Sequence, residues 1–559
     1  MKSLLCSILL VSSLLASMNL AAQTYYLDAV KGKDDNNGTS MQTPFKTLSK
    51  ANKLKLKAGD KLLLAETRTW WGSLELNNLK GTEQQPIIVS TYSLDKESKP
   101  KRAIINGKGW LNTVAIINSS HVHLSNLAVT ANGGGVHKWL KEKHKKSSYA
   151  KKPMMRIGVM LEASKKGTYQ GIKLDNLLVK DVYFNEPGVV RSKKETNSAN
   201  GTESYGWGIR AFARNGGELE GLTINNSVVT NVAHTGIKLN GKKDSLKKIT
   251  ISNNKVFDVG GPGMQMSGAN DVHVFLNIVK DSGSTKDTRN WGRGSGMWTW
   301  GTSYALIEYN KFLNANGPGD SAGFHIDFNC DNIIFQYNVS ANNAGGFIEI
   351  LGNNYNNAYR YNLSINDGHR VKGKNNAFQE GKTFWFSGFV GKNNPHSGPF
   401  NSYIYNNTIY VKEDILSKMA VTRMSKGALI ANNIFHVVGD SKLVKGDQYR
   451  PEANGISHID NVNFNNNIYL KTSTWPKSVL IQDKSPVIGD VQFTKAGGDK
   501  LTDYIPLNNE LVANKGIEIP FIEGDKKGLF KPLKVEHDIL GNPIVGKPDM
   551  GAIEISKSE

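Results

Sequence analysis

Two carboxylates, Asp327 and Glu349, carry the sharpest chemical signal in the chain. Asp327 closes the run Gly323-Phe-His325-Ile-Asp327, and Glu349 closes Gly345-Gly-Phe347-Ile-Glu349, 22 residues later. Similar strands precede them: Gly208-Ile-Arg210-Ala-Phe212, Gly236-Ile-Lys238-Leu-Asn240, Gly263-Met-Gln265-Met-Ser267 and Gly296-Met-Trp298-Thr-Trp300. Period-2 alternation sends Ile, Leu and Met inward. It sends Arg210, Lys238, Gln265, Trp298, Trp300, His325, Asp327, Phe347 and Glu349 outward along one face. Two tryptophans, a histidine and two acids in such a row read as the lining of a groove for a sugar polymer. Aligned on their leading glycines, Asp327 and Glu349 occupy one position of adjacent units. Neighbouring strands lie roughly 4.7–4.9 Å apart, so the two carboxyls are expected about 5 Å apart. That matches the spacing of retaining glycosidases. Like charges so close raise one pKa, which makes its owner a general acid. The same alignment places Ile237, Met264, Met297, Ile326 and Ile348 in one interior row.

The elements that must hold these residues are repeats. An asparagine-centred phrase recurs at Asn126, Asn176, Asn226, Asn254, Asn277, Asn310, Asn338, Asn362, Asn407, Asn433 and Asn467. Its intervals in the middle of the chain are 23 to 33 residues. Each unit holds short alternating strands separated by Gly, Asn and Asp corners. No unit can bury its apolar face alone, whereas stacked units share a continuous core. Asparagine at a corner both donates and accepts along the stack. The predicted fold is all-β, a right-handed parallel β-helix of about ten or more rungs. A β-propeller, which needs longer periods and hairpins, is the weaker reading.

The chain has 559 residues with 56 glycines, 39% hydrophobic and 21% charged. Disorder is excluded by that apolar content. Lys2, the apolar run Leu4 to Leu15 and Leu20-Ala21-Ala22 form a secretion leader, expected as residues 1–22 with cleavage near Ala22. No later stretch is long enough to span a membrane. One β-helix domain over 23–559 is expected, with an N-terminal cap about 23–110 and irregular late rungs about 470–559. Cys6 leaves with the leader, so Cys330 is alone and reads as a buried, inert thiol. The net charge of +20 favours an anionic partner. With the leader, this points to a secreted or periplasmic protein acting on an acidic glycan, sulfated or uronate-bearing, and away from nucleic acid. His137 to Lys152, with seven lysines, and Pro187 to Tyr205 read as long loops inserted at corners. No cofactor and no metal site are indicated, and the oligomeric state is open.

Two resemblances extend this reading. Tyr25-Tyr26-Leu27-Asp28, Pro44-Phe45-Lys46-Thr47-Leu48 and Lys57-Ala58-Gly59-Asp60 resemble the N-terminal cap of secreted, pectate-lyase-like β-helix enzymes. In these a short amphipathic helix, here about Phe45 to Leu56, covers the open core. Pro548-Asp549-Met550-Gly551-Ala552-Ile553-Glu554 resembles their terminal strand, which implies a complete chain. His234-Thr-Gly236-Ile-Lys238, Gly323-Phe-His-Ile326-Asp327-Phe328 and Gly346-Phe347-Ile348-Glu349 resemble the core of the retaining β-helix β-xylosidases and related glycoside hydrolases. The resemblance implies that Asp327 is the nucleophile and Glu349 the acid/base. His325, Trp298, Trp300, Lys238, Gln265, Arg210 and Phe347 would bind substrate. Two other classes stay open. One is a β-helix polysaccharide lyase using Lys238, Arg210 or His325 as base. The other is a non-catalytic glycan-binding solenoid. Asp320, Glu162 and the pair Glu380 and Lys382 could also line the cleft, though a structural role is the stronger reading for each.

Overall fold

The computed structural model describes residues 22–95, 99–133, 156–183, 206–284, 293–422, 424–446, 461–473 and 483–555. Residues 1–21 of the expected leader and the two expected loops, 137–152 and 187–205, lie outside the described residues.

Short β-branched runs form strands, and left-handed corners turn the chain between them. Those corners fall on asparagines such as Asn226 and Asn253, and elsewhere on Tyr309, Tyr337 and Tyr361, all with φ between 51° and 55°. Asparagine tolerates this conformation readily, while tyrosine adopts it only under the surrounding structure. The strands collect into three parallel sheets of 16, 14 and 12 strands. Successive strands of each sheet come from successive units, and parallel crossovers wind right-handed. The result is the right-handed parallel β-helix.

The asparagines do what their repetition requires. Asn254, Asn277, Asn310, Asn338, Asn362, Asn407, Asn433 and Asn467 form a buried ladder. Each Nδ2 donates to the Oδ1 of the next at 2.9–3.1 Å. Each also donates to backbone carbonyls of its own or the preceding rung, such as Asn310 to Val274 and Glu308, both at 2.9 Å. Every side-chain amide of this ladder is thereby satisfied, which burial demands.

The twelve-stranded sheet carries the candidate site. Its inward columns are apolar: Ile209, Ile237, Met264, Met297 and Phe324 stack in one, and Ala211, Leu239, Met266, Thr299 and Ile326 in the next. Ile326 and Ile348 are both fully buried, yet Ile326 belongs to the column beside that of Ile237, Met264 and Met297. A leading glycine is required at those rungs where the facing sheet presents a bulky side chain to the strand entry. A Cβ on Gly263 would lie 2.2 Å from Val279, on the facing sheet.

At the N-terminus, Phe45, Leu48, Ala51 and Leu56 are buried in the main core. The helix expected over Phe45 to Leu56 is only the single turn Leu48–Ala51, with Thr47 Oγ1 accepting from the Lys50 N–H. The alternation Lys53-Leu54-Lys55-Leu56-Lys57 that follows suits extended chain. Beyond the last ladder asparagine, Val487–Ile488 adds one more parallel strand. Residues 491–555 then run back along the outside of the solenoid. Tyr337 Oη donates to the His537 carbonyl at 2.9 Å, and Asn356 Nδ2 to Asp525 at 3.0 Å. This segment buries a second apolar cluster that includes Tyr361, Tyr403, Tyr405, Val512, Ile522 and Met550.

Candidate functional site

The outward face of the twelve-stranded sheet presents two adjacent columns. Arg210, Lys238, Gln265, Trp298 and His325 are register partners in one. Phe212, Asn240, Ser267 and Trp300 form the other, and Asp327 follows Trp300, its N–H bonded to the Thr299 carbonyl at 2.9 Å. These positions are as the sequence predicts.

The next rung corrects two of them. Ala322 pairs with Gly346 and Ile326 with Ile350, so the register advances by 24 residues, not 22. Glu349 therefore continues the column of His325, and Leu351 follows Asp327. The expected side-by-side stack of Asp327 and Glu349 is not formed. Their backbones are diagonal, one strand over and two residues along, about 8 Å apart by strand geometry. Phe347 falls in the column of leading glycines. Its ring turns inward, 1% exposed, edge-on to Tyr359 at 5.7 Å. Phe347 is a core residue and lines no groove. It fits because the facing sheet, which presents Val279 and Phe312 at earlier rungs, here presents Ser340 and then Ser364.

Asp327 sits at the end of the strand Phe324–Ile326, half-buried, with its Oδ1 accepting from the Phe328 N–H at 2.8 Å. Burial pushes its carboxyl up to about 7. His325 and the Phe328 amide oppose that rise, and the negative charges of Asp320 and Glu349 add to it, Asp320 more than Glu349. His325 is 4% exposed, stacks on Trp298 at 5.8 Å and shares a 3.2 Å hydrogen bond with Ser295 Oγ through Nδ1. Burial lowers its pKa in spite of the nearby Asp327 and Asp320. The ring is thus neutral near pH 7.

Asp320, which the sequence places only among further residues of the cleft region, acts on Asp327 more strongly than Glu349 does. It lies in the corner Gly317-Pro318-Gly319-Asp320 that leads into the strand of His325. Buried Arg370 holds that corner by donating to the Gly317 and Asp320 carbonyls at 3.0 and 2.8 Å. Gln379 Oε1 accepts the Asp320 N–H. The Asp320 carboxylate pairs with Arg293 at 3.6 Å. An acid in a Gly/Pro corner has the sequence signature of a turn, so nothing in its local pattern marks it for chemistry. Glu162 and Glu380 are held elsewhere: Glu162 accepts from Arg214, and Glu380 from the buried Lys418 at 2.6 Å.

This outward face changes character along its length. Toward the N-terminal rungs lie Arg210 and Lys238. Burial and the adjacent Arg210 bring the Lys238 amine down to about 7. Toward the C-terminal rungs the lining is apolar: Phe328, Leu351, Trp385, Phe389 and Ala420 cluster together. Trp300, 36% exposed, meets Phe328 edge-on at 5.8 Å beside Asp327. Aromatic faces of this kind suit the apolar faces of sugar rings. Cys330 is buried next to the site, and burial raises its thiol to about 12, so it is inert there.

The fold is that of a right-handed β-helix protein, and comparison with known proteins agrees on it. The family described as right handed beta helix region matches residues 207–368. A lacto-N-biosidase of Bifidobacterium longum subsp. longum is 25% identical over 641 residues, covering 96% of this chain. The chain spans 37% of that protein's length. The crystal structure of GH136 lacto-N-biosidase from Eubacterium ramulus, native protein, is similar with a TM-score of 0.50 and 18% identity. That match covers 84% of this chain and 68% of the other. XylC in complex with xylose is similar over 96% of this chain and 99% of its own, at 9% identity and a TM-score of 0.44.

Proposed function

We propose that the protein is a glycoside hydrolase that cleaves an oligosaccharide or polysaccharide laid along this outward face. The observation that carries the reading is Asp327, a half-buried carboxyl on the outward face of the sheet, pushed up to about 7 beside further carboxylates. Such a group holds a proton near neutral pH and can give it to a leaving oxygen. The similarity to lacto-N-biosidase supports a glycosidase acting on an oligosaccharide.

In this mechanism Asp327 protonates the glycosidic oxygen as the bond to the anomeric carbon breaks. The Asp320 carboxylate, the neighbour that acts more strongly on Asp327, attacks the anomeric carbon from the opposite side and forms a glycosyl ester. Asp327, now ionised, takes a proton from water, and that water releases the sugar from Asp320. This reverses the role that the resemblance implies for Asp327, because its raised pKa makes it the proton carrier. Glu349 is the second choice for the partner carboxylate, since it also raises Asp327 and sits one rung away. The retaining course rests on the resemblance to retaining β-helix glycosidases. The charge of +20 supports an acidic substrate, and the N-terminal leader supports secretion.

Product analysis by NMR on a panel of neutral and acidic oligosaccharides tests the reading. Retained anomeric configuration, with D327N reduced about 10²–10⁴-fold and D320N more impaired than E349Q, is expected. An inverted product defeats the retaining course. An unsaturated product defeats hydrolysis and moves the chemistry to a lyase base such as Lys238.

A further inference from the structure

We propose that a depression on the sixteen-stranded sheet, framed by His121, His123 and Lys173, is a second ligand site that holds the oxyanion group of a small acid or acidic sugar. It lies on a different sheet from Asp327 and does not depend on the glycosidase reading.

The depression follows from the residues at the corners. His121, Gly171, Gly221 and Lys248 stand at successive turns along this edge of the sheet. The His121 N–H donates to the Gln170 carbonyl at 2.6 Å, Gly171 to Glu220 at 3.0 Å and Gly221 to Lys247 at 3.0 Å. All four residues are left-handed, with φ between 51° and 68°. Glycine takes this conformation freely. At two consecutive turns it also leaves a floor of bare backbone, bracketed by His121 on one side and Lys248 on the other. The cavity has a volume of about 380 Å³. That is the lower end of the range for small-molecule sites, about 300–1,000 Å³. A Cβ on Gly171 would lie 2.4 Å from His121 Nδ1, so the imidazole is laid directly across the glycine.

The lining is basic where it is deepest. His123 and Lys173 are register partners on neighbouring strands, and Thr223 follows Lys173 in the same column. All three are half-buried. The Glu220 carboxylate is already engaged by Lys248 Nζ at 2.6 Å, and Glu83 stands exposed at the rim. The charged groups that act on His123 are Lys173 and His121, both basic, and burial and these two hold its pKa below the usual value. Among the described residues no three His, Cys, Asp or Glu side chains are arranged to hold a metal ion. A carboxylate or sulfate between Lys173 and the imidazoles would receive charge-assisted hydrogen bonds, with the Thr223 hydroxyl and Gln170 amide as further donors. Negative charge there favours protonated His123, so binding takes up a proton and strengthens as pH falls from 8 to 5.

The site is also remote from the chemistry. From Lys173 the sheet continues five strands to Asp331–Gln336, the strand that follows Asp327 in the chain, about 24 Å by strand spacing. A small ligand held here does not reach Asp327.

The test follows the full chain, labelled with ¹³C-histidine, by NMR. Sodium sulfate, sodium glucuronate and glucose are titrated at fixed ionic strength, and the His123 resonance is identified by its loss in H123Q. At least one anion should move that resonance with a Kd no weaker than about 1 mM at pH 6, and should raise its titration midpoint. Glucose should leave it unmoved. K173M and K173Q should each weaken anion binding about tenfold, the magnitude of one charge-assisted hydrogen bond. A response to glucuronate alone assigns a carboxylate, to sulfate alone a sulfate, and to both an oxyanion of either kind. No response to either anion, an equal response to glucose, or anion binding unchanged in both Lys173 variants overturns the site. Turnover plays no part in this readout, so failure of the glycosidase reading leaves the test standing.

Discussion

At the scale of single residues, Asp327 concentrates the functional argument. Its carboxyl is raised mainly because burial penalises the charged form, and neighbouring negative charge adds to that. A general acid must be protonated to act, so turnover is expected to fall as pH rises through about 7. A kcat/KM profile that stays flat across this region would contradict the role. Phe347 gives the opposite lesson. Alternation on a glycine-led alignment sends it outward, whereas the observed register puts its ring in the core against Tyr359. Phe347→Ala is therefore expected to cost about 3–5 kcal/mol of stability, the usual range for deleting a buried phenyl. Thermal unfolding measures it. An unchanged Tm with only a weakened KM would restore the residue to the groove.

Among the elements, the side-chain ladders carry both shape and vulnerability. The asparagine ladder is legible because only an amide can accept from one rung, donate to the next and satisfy the wall between them. A second, shorter ladder runs from Asn343 to Asp367, whose Oδ1 accepts the Asn343 N–H and side-chain amide, both at 2.9 Å. Burial pushes Asp367 up to about 7. A folded pKa raised above the unfolded value means that the native state binds the extra proton. Stability from this group is full below about pH 4 and is lost as pH rises toward 7. That rise corresponds to about 4 kcal/mol. Asp367→Asn keeps the shape and the acceptor without the charge. It is expected to raise Tm at pH 8 and to flatten the pH dependence of Tm between 4 and 7. A variant that melts lower than the parent at pH 8 would show that the carboxylate is stabilised in the ladder.

For the whole molecule, the returning segment 491–555 decides how the solenoid meets water. It covers Tyr361, Tyr403 and Tyr405 on the outside of the wall and ties to it through Tyr337, Asn356 and Arg360. Ending the chain at residue 490 would expose that apolar surface, and contiguous patches of this kind drive association. The shortened protein is expected to aggregate or to melt well below the full chain, as light scattering and thermal unfolding would report. A monomeric product with unchanged Tm would mean that the segment contributes nothing to the fold.

Sequence alone determined the solenoid, because each unit repeats the same demands: alternating apolar residues for the core, an amide for the ladder, a glycine where the chain enters the sheet. It also determined the column Arg210, Lys238, Gln265, Trp298 and His325, since the intervening rungs keep one pattern from glycine to glycine. Tertiary structure decided the rest. Corner length varies from rung to rung, so the shift that separates Glu349 from Asp327 depends on which backbone groups pair at Ala322 and Gly346. Asp320 reaches the site through a corner held by Arg370 and Gln379, contacts that span 50 and 59 residues of chain. The outer course of 491–555 has no period to read, because irregular chain is placed by the apolar surface it covers.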